Sequence, residues 1–117
     1  MGRTYITSEK TPHPLAIDDV AEVLLNGGLA LYPTETVYGI GVAVRTAGGG
    51  ISPAYPRIFS VKQRDTSQTV PWLVGDVSAL ETYGLGINDD TRRLAEKFWP
   101  GALTLIVRAS SAVPRIM

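Results

Sequence analysis

A helix-periodic segment, a pair of glycines and a short apolar run follow one another between Asp18 and Tyr32, and this succession constrains the fold most strongly. Val20, Val23 and Leu24 recur at helical spacing across Asp18 to Asn26. Asp18 suits the N-cap of that helix, and Asp19 suits its positive end. Gly27-Gly28 ends it, because glycine adopts the left-handed C-terminal conformation without steric cost. Leu29 to Tyr32 then reads as a buried strand. Helix, glycine stop and strand in quick succession predict a layered α/β or α+β fold.

The rest of the chain extends that pattern. Thr4 to Ile6 reads as a short strand and Thr11 to Pro14 as a linker. Arg45 to Tyr55 reads as a loop with Gly48-Gly49-Gly50 at a flexible tip. Ser52-Pro53 and Pro56 announce a helix carrying Ile58, Phe59 and Val61. Pro56 belongs in its first turn, since an interior proline forfeits a hydrogen bond. Val70 to Val74 reads as a strand whose Pro71 favours an edge or a bulge. Asp76 caps a short helix through Tyr83, and Gly84 to Asn88 is a loop. Asp89 or Asp90 caps another helix, which Pro100-Gly101 stops. The apolar run from Ala102 to Val107 is expected as a central strand.

The chain has 117 residues, so one small domain over 1–117 is expected. Hydrophobic residues at 44% exclude a disordered tail. Eleven basic side chains balance eleven acidic ones, which leaves no global footprint for nucleic-acid binding. There is no cysteine, hence no disulfide, thiolate nucleophile or cysteine-based zinc site. No apolar run reaches the ~18 residues of a membrane helix, and Met1 to Pro14 lacks a signal-like apolar stretch. The expectation is a soluble cytoplasmic protein with no membrane contact.

Few residues carry chemistry by pattern alone. No phosphate-loop motif is present, and Gly48-Gly49-Gly50 lacks a following lysine. His13 is the only histidine and sits between two prolines. A serine-type triad would need a GxSxG elbow, which is absent. Paired histidine or cysteine ligands are missing too, so no metal site is expected. Asp18-Asp19 and Asp89-Asp90 are explained as capping pairs.

Two segments admit more. In Pro33 to Gly41, hydroxyls and a tyrosine follow a strand end, a common ligand position. Thr34 and Thr36 either bond a ligand or satisfy local backbone groups. Lys62-Gln63-Arg64 ends a helix. Its cations either complement the helix dipole or clamp a phosphate, arginine bidentately and lysine as a point charge.

Three blocks then occur in order: GGLALYPTETVYGIG from Gly27 to Gly41, Lys62-Gln63-Arg64, and FWPGALTL from Phe98 to Leu105. In this the chain resembles the YrdC-like family of threonylcarbamoyl-AMP synthases, over roughly residues 18–108. The first block follows the family's PT-[DE]-T-x-Y-G pattern and the last its WPG-x-LT block. The resemblance implies a twisted mixed sheet with flanking helices around a positively lined cavity. It implies an enzyme, a nucleotidyltransferase that joins L-threonine, bicarbonate and ATP into threonylcarbamoyl-adenylate and releases pyrophosphate. The product serves tRNA threonylcarbamoyladenosine modification.

By the same resemblance, Lys62 and Arg64 are the catalytic cations and hold ATP, with the Pro100 backbone beside the nucleotide. Thr34 or Thr36, with Thr104, binds the threonine substrate, and Tyr38 walls the pocket. Magnesium travels with ATP and not in a protein cage. Implied partners are a separate tRNA-modifying transferase and a tRNA or double-stranded RNA contact. Two other readings use the same blocks: a carbamoyl-adenylate-forming domain of hydrogenase maturation, and an RNA-binding module without catalysis.

The chain departs from the family pattern in three places. The loop from Val42 to Tyr55 is longer, a lid or a tolerated insertion. Asp65 replaces the usual proline after Arg64 and adds a negative charge there. The family's later Ser-x-Asn motif, part of the ATP site, does not occur in these residues. A fragment or a shortened relative is therefore expected, with an apolar sheet edge that favours association into homo-oligomers or aggregates.

Overall fold

The computed structural model describes residues 2–8 and 10–117. The chain divides into two compact units, residues 1–66 and 67–117. The architecture is mixed α/β, with four helices and two small antiparallel sheets among the described residues.

The first unit opens with helix α1, Pro14–Leu25. It begins four residues before the expected Asp18. Pro14 takes the first turn, where a missing N–H costs nothing, and His13 stands at the N-cap. Asp18 therefore caps nothing. Asp19 instead accepts hydrogen bonds from Tyr5 and from Arg3, the latter at 2.7 Å. Those contacts occupy the segment expected as a strand at Thr4 to Ile6, which has no pairing partner and is not a strand.

The glycine stop is as expected. Gly27 is left-handed with φ 79°. The Gly28 amide donates to Val23 O at 2.8 Å and the Gly27 amide to Leu24 O at 3.0 Å, which closes the last turn. Strand β1, Ala30–Tyr32, follows and pairs antiparallel with β2, Gly39–Gly41, in the register Ala30 to Gly41 and Tyr32 to Gly39. The loop expected to have a flexible tip is a hydrogen-bonded turn. Arg45 and Ile51 bridge across it, and Ala47 N donates to Leu25 O at 2.9 Å, tying it to the end of α1.

Helix α2, Tyr55–Lys62, carries Pro56 in its first turn, as the sequence requires. Tyr55, Ile58 and Phe59 are buried with Ala30, Ala54 and Ser52, and they form the core of this unit. The Tyr55 and Phe59 rings meet edge to face at 5.4 Å, an arrangement favoured by the ring quadrupoles.

The second unit holds α3 (Ser78–Tyr83), β3 (Gly84–Leu85), α4 (Asp89–Phe98) and β4 (Arg108–Ala109). Strands β3 and β4 pair antiparallel, Gly84 with Ala109 and Leu85 with Arg108. Asp76 prepares α3 by accepting from Ser78 N at 2.7 Å. Helix α4 is capped by Asn88, not by Asp89 or Asp90. The two aspartates lie in the first turn and pair with Arg92 and Arg93. Leu80 and Ala95 are buried, and Trp72 packs edge to face on Tyr83 at 5.0 Å.

Two further expected strands are absent. Residues 70–74 and 102–107 are not strands, because neither run has a neighbouring strand to complete its backbone pairing. Ile106 is 97% exposed and Leu73 is 79% exposed. No helix among the described residues is long and apolar enough to cross a membrane.

Candidate functional site

The turn from β1 to β2 is built around the Thr34 hydroxyl. Thr34 Oγ1 donates to Val37 O at 2.5 Å and accepts from the amides of Thr36 and Val37, each at 3.3 Å. A hydroxyl has one proton and two lone pairs, so these contacts use all its capacity. Thr36 Oγ1 lies 3.3 Å from Thr34 Oγ1 and has no other partner among the described residues. The Thr36 hydroxyl therefore keeps capacity for a ligand. Pro33, Thr34, Thr36, Val37 and Tyr38 together line an open hollow of about 210 Å³. Thr34, Thr36 and Tyr38, singled out from sequence, thus share one surface depression.

The glycines of this block have a different role from the one their motif suggests. A Cβ on Gly39 would come within 3.0 Å of the Tyr32 ring, and one on Gly41 within 2.8 Å. The ring lies over both glycines of β2, an aromatic packed on cross-strand glycines. The space that glycine opens above the backbone is filled by Tyr32. Sequence reasoning missed Tyr32, and the signal appears only once the hairpin register sets Tyr32 opposite Gly39.

Lys62 is the last residue of α2 and Arg64 lies two residues on. Both are exposed. Of the nine other lysines and arginines, three meet carboxylates among the described residues: Arg3 meets Asp19, Arg92 meets Glu81 and Asp89, and Arg93 meets Asp90. Lys62 and Arg64 form no ion pair among the described residues. Between them, Gln63 is left-handed, a feature that its residue type does not signal.

Pro100 and Thr104 belong to the second unit and are both exposed. The tryptophan before Pro100 fixes the local turn, with Trp99 Nε1 donating to Leu103 O at 2.7 Å. Gly101 is required there, since a Cβ would stand 2.3 Å from Phe98 O. The expected strand that was to carry Thr104 is an unpaired segment.

Two carboxylates are perturbed outside this region. Tyr5 and Arg3, by hydrogen bonding, hold the Asp19 carboxyl below the usual carboxylate range. The hydrogen bonds from Ser78 lower Asp76. No group of three or more His, Cys, Asp or Glu side chains is placed to hold a metal among the described residues.

Comparison with known proteins agrees with the family resemblance. The chain is 35% identical over 97 residues to threonylcarbamoyl-AMP synthase of Pyrococcus abyssi, covering 83% of this chain and 27% of that protein. It is 33% identical over 94 residues to threonylcarbamoyl-AMP synthase of Nitrosococcus oceani, covering 80% of this chain and 48% of that protein. The chain thus spans between about a quarter and a half of the length of these two relatives. A solved structure of a doubly substituted Pyrococcus abyssi Sua5 superposes with a TM-score of 0.76 at 33% identity, covering 87% of this chain and 28% of that one. Residues 22–117 match the Sua5/YciO/YrdC family model, described as telomere recombination. With that match over most of its length, the chain belongs to the Sua5/YciO/YrdC family.

Proposed function

We propose that this chain carries the ATP- and threonine-binding part of a threonylcarbamoyl-AMP synthase. The amine of L-threonine and bicarbonate condense to a carbamate with loss of water. A carbamate oxygen then attacks the α-phosphorus of ATP, and pyrophosphate leaves with the bonding electrons. All the reactants carry negative charge, so catalysis is positioning and charge neutralisation, with no side-chain nucleophile. The observation that carries the reading is the family match over residues 22–117, within which Lys62 and Arg64 stand exposed at the end of α2.

In this reading Lys62 and Arg64 hold the triphosphate and the charge that develops on it. Thr36 contributes the open hydroxyl to L-threonine, Thr34 holds the loop and Tyr38 walls the hollow. Magnesium enters on the phosphates of ATP. The adenylate then supplies a separate transferase that modifies adenosine in tRNA.

The test is pyrophosphate release from ATP by the purified chain, with L-threonine and bicarbonate present together or singly, beside calorimetric ATP binding. Release should require both co-substrates. Lys62→Ala should abolish ATP binding while the circular dichroism spectrum stays unchanged. Unaltered ATP binding by Lys62→Ala would remove the role given to this residue.

A further inference from the structure

Gln63 is the only residue other than glycine with a positive φ among the described residues, at φ 51° and ψ 45°. Left-handed backbone crowds a Cβ against the neighbouring carbonyl, so such residues persist only where the surroundings hold them. Here the hold is visible. The Gln63 amide donates to Ser60 O at 3.3 Å and the Arg64 amide to Phe59 O at 2.9 Å. Phe59 is 4% exposed and packs on Tyr55, so the corner is fastened to the buried part of its unit.

The corner changes the relation between the two flanking cations. An uninterrupted α-helix turns roughly 100° per residue, which would set residues 62 and 64 roughly 200° apart on opposite faces. The left-handed residue ends that relation and takes Arg64 off the helix. Glycine would make the same turn with less strain. The turn closes α2 as its left-handed C-cap and sets Lys62 and Arg64, without ion pairs among the described residues, on either side of it.

We propose that Gln63 is a positioning residue, whose left-handed corner brings Lys62 and Arg64 to bear on one polyphosphate, that of a nucleoside triphosphate. This rests on the reading of Lys62 and Arg64 as ligands of ATP.

The experiment measures ATP affinity by calorimetry for the whole chain and for Lys62→Ala, Gln63→Gly and Gln63→Val, each well below its melting midpoint. Valine is β-branched and resists the left-handed region, so Gln63→Val should weaken ATP binding about tenfold or more with helix content unchanged. Gln63→Gly preserves the corner and should stay within about threefold of the parent. Parent-like binding by Gln63→Val overturns the proposal. So does loss of binding in Gln63→Gly, which would assign the effect to the glutamine amide. Should Gln63→Val not fold, Gln63→Thr takes its place with the same two outcomes. An effect of Lys62→Ala without one of Gln63→Val refutes the corner alone. Undiminished binding in Lys62→Ala, or none in the parent, refutes the reading beneath it.

Discussion

Thr34 and Thr36 stand two positions apart, and hydroxyl capacity separates them. Thr34 is saturated by three contacts with its own loop, whereas Thr36 meets only the Thr34 hydroxyl among the described residues. The isosteric change to valine removes the hydroxyl from either. Thr34→Val should cost about 0.5–1.5 kcal/mol of stability, the net worth of an intramolecular hydrogen bond, seen as a lower urea midpoint. Thr36→Val should leave the midpoint within about 0.5 kcal/mol and weaken L-threonine binding about tenfold, read by calorimetry. The reverse pattern would exchange the two roles. Asp19 is a second residue with a defined consequence. Tyr5 first, and then Arg3, lower its carboxyl in the folded chain. The folded state therefore binds this proton less readily than the unfolded state, whose value is about 3.9. The contribution is complete above that value and is lost as pH falls through the lower folded value. On acidification below about pH 4 the Tyr5 ring resonances should move with Asp19, and Asp19→Asn should abolish that titration. A Tyr5 ring indifferent to acid would show that the contact does not form in solution.

At the scale of elements, helices were legible from sequence and most strands were not. α2 and α4 follow their apolar spacing and stop signals, and Gly27-Gly28 closes α1 as expected. Helical hydrogen bonds are local, so the pattern contains nearly all that the element needs. A strand is completed by another strand, and the apolar runs at 70–74 and 102–107 say nothing about whether one is at hand. β2 and β3 escaped for the opposite reason, because glycine-rich segments lack strand character yet find partners in β1 and β4. Thr34, Thr36 and Tyr38, named from the first block, line one hollow. Gln63 and Tyr32 were not legible, since one depends on a backbone angle and the other on a register. Cap identity was also misread at α4. Asn88 Oδ1 accepts from the Thr91 amide and from its hydroxyl, both at 2.8 Å. Asn88→Ala should therefore cost about 1 kcal/mol, whereas removing the exposed Arg93 partner of Asp90 should cost far less. Thermal melts of the two single variants decide between cap and ion pair.

For the molecule as a whole, the question is what the exposed apolar side chains do. Ile106 is 97% exposed, and Val107 beside it is 37% exposed. They belong to the run ALTLIV from Ala102 to Val107, which has no charge and no proline and is unpaired in the structure. Such a run combines high strand propensity with open backbone groups, the signature of a segment that adds to another strand. The formal net charge of zero adds little repulsion between copies. The chain should associate as its concentration rises, with sedimentation velocity showing a growing fraction above monomer. Ile106→Lys places a charge in the middle of the run. Because the side chain is exposed, the change should alter folding stability by no more than about 0.5 kcal/mol. It should nevertheless shift the distribution toward monomer, because two copies would have to bury a lysine. Equal distributions for the parent and Ile106→Lys would show that this run is not where copies meet.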